Sequence, residues 1–283
     1  MNDPSHVHLD AVSPDTAAGR HGGDLIRLSN PRSAYRRPST ALGLALTIAC
    51  LGLACSVRRS PEATRQGMLF IPAGDFTMGS NQNPPGDESP QHRVALDGYW
   101  IDRLEVTNAD YRPCVDSGGC SEPSDLQAFA DPAFAAHPVV YVTWFQAQAY
   151  CVWRGKRLPT EAEWEKAARG TDGQPFPWGD DSRPDLLNAG GSTNGTRPIG
   201  SYPEGASPYG ALDMAGNVWE WVDDWYAAYP GSAYRNDYFG EKYKVVRGGS
   251  WNHPIQDART FHRDIASPGR ALAVVGFRCA ASP

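Results

Sequence analysis

Apolar and polar positions change period several times along this chain, and no segment keeps one pattern for long. Met68 to Met78 (MLFIPAGDFTM) holds two short apolar runs split by Pro-Ala-Gly-Asp, which predicts strand, turn and strand. Val94 to Val106 (VALDGYWIDRLEV) repeats the pattern around Asp97-Gly98. Thr107 to Val115 opens on an N-cap residue and predicts a short helix. Two further helices are expected at Thr143–Arg154 and Thr160–Arg169, each opening on a capping box, Thr-x-x-Gln and Thr-x-x-Glu. Pro159 and Gly170 bracket the second of these as start and stop signals. Gly170 to Tyr209 reads as loop, rich in Gly, Pro, Asp and Asn; so long a loop needs internal stabilisation, for which a bound ion is one source. Lys244–Gly248 and Val274–Cys279 are the last expected strands. The order predicts an α+β fold of irregular character, with one domain over residues 67–281.

Ahead of the domain the pattern is different. Residues 1–35 are polar without apolar period, and predict a disordered tail. Arg36 and Arg37 then precede an almost uncharged run from Ala41 to Ala54, which ends at Cys55. A basic flank, a short apolar stretch and a small residue form a signal-peptide pattern, assigned here to residues 36–55. The run is too short for a fixed transmembrane anchor. Its end resembles a bacterial lipoprotein cleavage site, with Cys55 as the acylated residue, although Gly52 stands where Leu is usual. The competing expectation is plain secretion. Residues 56–66 read as a linker. The chain is therefore expected to be exported, periplasmic or at the cell surface, touching membrane only through its N-terminal segment.

Composition removes other classes. The 283 residues carry a formal charge of −6, so no basic excess is available for nucleic acid. The 29 Gly, 24 Pro and 9 Trp favour turns, short strands and aromatic packing over a helical bundle. Beyond Cys50 and Cys55 the cysteines are Cys114, Cys120, Cys151 and Cys279. An even number in an exported chain suggests disulfides, and four cysteines allow three pairings. The Gly-bearing loop between Cys114 and Cys120 can bring those two sulfurs together, which leaves Cys151 for Cys279. Neither CxxC nor CxxH spacing is present to suggest zinc.

Several segments together resemble the formylglycine-generating enzyme family, the sulfatase-modifying factor domain. They are FIPAGDFTMGS at 70–80, RLPTEAEWE within 137–170, FPWGDD at 176–181, YGALDMAGNVWEW at 209–221, VVRGGSW at 245–251 and GFRC at 276–279. The resemblance implies a C-type-lectin-like α+β fold, poor in regular structure and stabilised by calcium, with a disulfide equivalent to Cys151–Cys279. It implies a calcium site from Asp213, the Gly216 and Val218 carbonyls, and Glu220. On spacing alone those acids beside Trp219 and Trp221 read as solvated or capping groups. A second family calcium site falls on Asn188 and the Ala189 carbonyl, where the following GGSTNGT loop lacks an obvious carboxylate partner.

The resemblance breaks at the redox position. Family members that oxidise a substrate cysteine carry two cysteines shortly after RGGS, and these bind copper(I), which suits soft thiolates. Here those positions are His253 and Ala258, and no cysteine lies between Cys151 and Cys279. Copper is therefore not expected, while Ser250 matches the family's active-site serine. Ser250 and His253 remain candidate catalytic residues for a divergent enzyme, although Ser250 sits in no nucleophile elbow. His253 and His262, near Asp257 and Asp264, lack the helical spacing of a metal pair. Trp251, Asn252, Arg259, His262 and Arg263 form an expected recognition surface for a protein, peptide or small-molecule ligand. The functional expectation is a binding or accessory module.

Overall fold

The computed structural model describes residues 65–82, 84 and 86–283; the apolar run, the signal-peptide assignment and Cys55 lie outside the described residues. Among the described residues nine short strands form three sheets. The first sheet joins β1 (Met68–Ile71), β4 (Tyr99–Asp102) and β9 (Ala280–Ala281), in the order β1-β4-β9. The second pairs β2 (Gly74–Met78) with β3 (His92–Leu96). The third orders β7 (Asp264–Ala266), β6 (Lys244–Arg247), β5 (Trp219–Trp225) and β8 (Val275–Gly276), with β5 and β8 parallel.

The expected strand–turn–strand units are present but are not hairpins. Each passes its two strands to different sheets, because β1 pairs with β4 and β2 with β3. The first crossing is held from the side by the helix at Glu161–Arg169. Lys166 Nζ donates to the Pro72 and Gly74 carbonyls at 2.8 and 2.9 Å, and Arg169 donates to the Gly79 carbonyl at 2.9 Å. Of the predicted strand at Val274–Cys279 only Val275–Gly276 is strand, as β8, and β9 begins after it at Ala280.

Four α-helices occur among the described residues: α1 (Asn108–Asp116), α2 (Gln127–Ala130), α3 (Trp144–Trp153) and α4 (Glu161–Arg169). Thr107, Thr143 and Thr160 cap α1, α3 and α4 in complete capping boxes. Each such cap contributes about 1 kcal/mol by satisfying amides the helix cannot. Both disulfides, Cys114–Cys120 and Cys151–Cys279, are formed. The second ties α3 to the chain between β8 and β9, inside a cluster that includes Tyr111, Trp219, Trp221 and Phe277. The Gly170–Tyr209 stretch contains only single helical turns at Pro184–Leu186 and Pro203–Gly205. No helix among the described residues is long and apolar enough to cross a membrane.

A buried ionic network joins α4 to the third sheet. Glu161 accepts from Arg247 at 2.7 Å and from Arg263 at 2.7 and 3.0 Å. Glu165 accepts from Arg247 and Arg169, both at 2.7 Å. These charges are out of water, so each is tolerated only because the others neutralise it.

Candidate functional site

Two polar clusters stand out, one in the turn leading into β5 and one in the segment after β6. The first is a carboxylate cluster in the turn leading into β5. Asp213, Gly216 and Asn217 all have positive φ, of 56°, 80° and 63°. Gly216 is required there, since a Cβ would lie 2.5 Å from the Asn188 carbonyl oxygen. The turn brings Asp213 and Glu220 together with Glu105, which sits between β4 and α1. Glu105 accepts from Asn217 Nδ2 at 2.7 Å through one oxygen, while its other carboxylate oxygen is buried without a hydrogen-bond partner. Burial, reinforced by Asp213 and Glu220, pushes the Glu105 carboxyl well above the ordinary range against the pull of Arg278 and Asn217. Burial also raises Asp213, opposed by the Gly200 amide and Arg278.

Arg278 is the cluster's counter-charge. It grips Glu220 bidentately at 2.7 and 2.6 Å and donates to the Leu212 carbonyl at 2.9 Å. Trp164 Nε1 adds a bond to Glu220 at 2.9 Å. Three carboxylates face one guanidinium, an imbalance of two charges if all ionise, which burial opposes by raising Glu105 and Asp213 and which a bound cation would relieve. An all-oxygen donor set of this kind is chemistry that fits a calcium ion. Asn188 is engaged differently: its amide donates to Gly195 and Asn217, and its side-chain oxygen accepts from Thr193. The described contacts of Asn188 bring no carboxylate beside it.

The second site is the segment after β6. Ser250 Oγ lies 2.6 Å from His253 Nδ1 and 2.8 Å from Asn252 Oδ1. Trp219 Nε1–H, which can only donate, is also directed at His253 Nδ1 at 3.4 Å, so indole, hydroxyl and amide meet at this ring nitrogen and its Ser250 partner. Burial lowers the His253 imidazole, opposed by Asp257 and reinforced by His262. The ring is thereby biased to the neutral form. Ser250 itself is fully buried. Its hydroxyl is therefore a positioning group for the imidazole more than an accessible nucleophile.

The Trp219 ring packs against both histidines, 5.5 Å from His253 and 5.9 Å from His262. His262 turns instead to Glu88 at 2.8 Å. Among the described residues no three His, Cys, Asp or Glu side chains converge as a ready-made metal site, the Glu105–Asp213–Glu220 cluster included. Of the expected recognition surface, Asn252 is exposed and Trp251 and Arg259 are half-buried. Arg263 must be removed from it: the side chain is buried, bound to Glu161, and packed over Tyr229 at 4.2 Å. The anion at Glu161 draws it inward, away from the half-exposed residues before it. His262 is buried too. Sequence reasoning missed Glu105 and Arg278, the two charges that complete the cluster; a lone Glu between Leu104 and Val106 was the available signal.

A domain with three small sheets, little regular structure, a buried ionic core and cysteines committed to disulfides belongs to a narrow class of irregular α+β folds. The model of the sulfatase-modifying factor enzyme 1-like domain matches residues 54–283, and the chain belongs to that family. It is 38% identical over 243 residues to serine/threonine-protein kinase Pkn1 of Chlamydia trachomatis, covering 78% of this chain and 39% of the kinase. The chain thus spans about two-fifths of that relative's length. It is 32% identical over 293 residues to the formylglycine-generating enzyme of Thermomonospora curvata, covering 80% and 97% of the two chains. Among solved structures, PvdO from Pseudomonas aeruginosa superposes with a TM-score of 0.63 at 28% identity, covering 76% of this chain and 94% of the other.

Proposed function

We propose that this chain is an exported domain, tethered to the membrane through Cys55, that serves as a binding or accessory module without copper-dependent cysteine oxidation. One observation carries the reading. All four cysteines among the described residues are paired in disulfides, and the positions after Ser250 offer an imidazole and a methyl group. Copper(I) needs soft thiolate ligands, which an imidazole does not replace.

Calcium is the structural metal in this reading. Glu105, Asp213 and Glu220, with the Gly216 and Val218 carbonyls, would hold it, and it would supply the positive charge the cluster lacks. The second family site, at Asn188 and Ala189, has weaker support because its amide is already used. Metal analysis of the natively exported protein tests both statements. Calcium retained with copper far below one per chain is expected; stoichiometric copper would overturn the reading.

The 2.6 Å Ser250–His253 contact favours a second reading, a divergent enzyme working through His253 on a peptide or small molecule. It predicts that His253→Ala abolishes a turnover while leaving the melting temperature unchanged. Loss of ligand binding without any turnover in the parent protein returns the first reading.

A further inference from the structure

The face where the tether enters the domain carries exposed aromatic side chains with no work in the core. Phe70 on β1 and Trp100 on β4 are directly opposed in register, so they stand side by side on one face of the sheet. Their rings are 5.2 Å apart, Phe70 is 48% exposed and Trp100 is half-buried. The guanidinium of Arg65 lies 5.1 Å over the Trp100 ring. Phe70 shares its face of β1 with the buried Met68, while Ile71 is buried on the other face, and Phe70 is the one exposed position of the strand.

We propose that Phe70, Trp100 and Arg65 form a seat on the phospholipid bilayer, with the two aromatic rings at headgroup depth and the guanidinium on anionic lipid phosphate. The inference rests on the reading that Cys55 anchors the chain. Ten residues, Ser56 to Arg65, separate that cysteine from the patch. They reach about 36 Å when fully extended and about 18 Å on average as a flexible chain. A domain of this size has a radius of gyration of about 17 Å. A compact body of that radius of gyration is about 44 Å across, wider than the fully extended tether, so the linkage keeps the face bearing Arg65 nearest the membrane.

The chemistry of the patch fits that surface. Phe and Trp rings are favoured at the interface between acyl chains and headgroups, and a basic side chain beside anionic lipid contributes about 1 kcal/mol. The linker sequence itself carries Arg58 and Arg59. Neither contribution holds a protein to a bilayer alone. Added to a lipid anchor, each converts a swinging domain into an oriented one, because the tether already supplies a high local concentration.

The full chain, processed and lipidated in a bacterial host, is reconstituted in phosphatidylethanolamine vesicles containing a diazirine-bearing phosphatidylglycerol. Photocrosslinks are then mapped by mass spectrometry. Crosslinks at residues 65–71 and 98–102 are expected, and Phe70→Ser with Trp100→Ser should reduce them about tenfold or more while the melting temperature holds. Vesicle-bound protein crosslinked only ahead of residue 60 overturns the seat while sparing the anchor. Protein that never partitions to vesicles overturns the anchor, and the seat with it.

Discussion

Glu161→Gln is the sharpest perturbation of the scaffold that carries both sites. The substitution keeps shape and hydrogen-bonding reach but removes the anion that Arg247 and Arg263 share. Both guanidiniums are buried, and Tyr229 also donates to the same carboxylate at 3.3 Å. Removing one partner of a buried pair typically costs about 3–5 kcal/mol, because the remaining charge is left without compensation. For a domain of this length 1 kcal/mol corresponds to about 2–4 °C, so a fall of about 6–20 °C is expected. Thermal unfolding followed by circular dichroism, with urea denaturation as a check, measures it. Glu161→Gln should also move the His253 region, since Arg247 immediately precedes Gly248, Gly249 and Ser250 in the chain. A loss below about 1 kcal/mol would refute the claim that this network, and not apolar packing alone, fastens α4 to the third sheet.

Two further outcomes follow from the same structure. Burial beside Glu161 raises the Asp224 carboxyl to about 6. A carboxyl whose folded pKa lies above its unfolded value binds its proton more tightly in the folded state, so stability falls as pH rises from about 4 to 6 and the cost persists above. Asp224→Asn should therefore stabilise by about 3 kcal/mol at pH 7.5 and by little at pH 3.5; equal effects at both pH values would refute it. Chelation should lower the melting temperature of the parent protein: at calcium a hundredfold above its Kd the ion contributes about 2.7 kcal/mol, or about 5–11 °C. In Glu105→Gln that calcium-dependent shift should shrink or vanish, and an unchanged shift would remove Glu105 from the site.

Local signals were the legible part of this sequence. Thr107, Thr143 and Thr160 each place a cap oxygen three residues before its helix partner, and all three helices start there. Capping is decided within one turn, so the residues that decide it are adjacent. The strand β5 was not legible, because Trp219, Glu220, Trp221 and Val222 are all buried and alternation is lost. Sheet membership was equally hidden: nothing in MLFIPAGDFTM says that its halves pair with different partners. The Asp213–Glu220 proximity was readable only through family resemblance. Glu105 and Arg278 join that cluster from more than a hundred residues away on one side and about sixty on the other, which no local pattern encodes. Arg263 reads as a surface residue from its neighbours and is buried for the same reason, since its partner Glu161 is distant in sequence.

The measurement closest to the central claim is oxidation of a Cys-x-Pro-x-Arg peptide by the purified full chain, supplied with copper(I) and dioxygen and followed by mass spectrometry. No aldehyde should form above a protein-free control at any copper concentration, in parallel with a cysteine-bearing relative that makes it. Accumulation of the aldehyde product at a rate that scales with this protein's concentration would contradict the account.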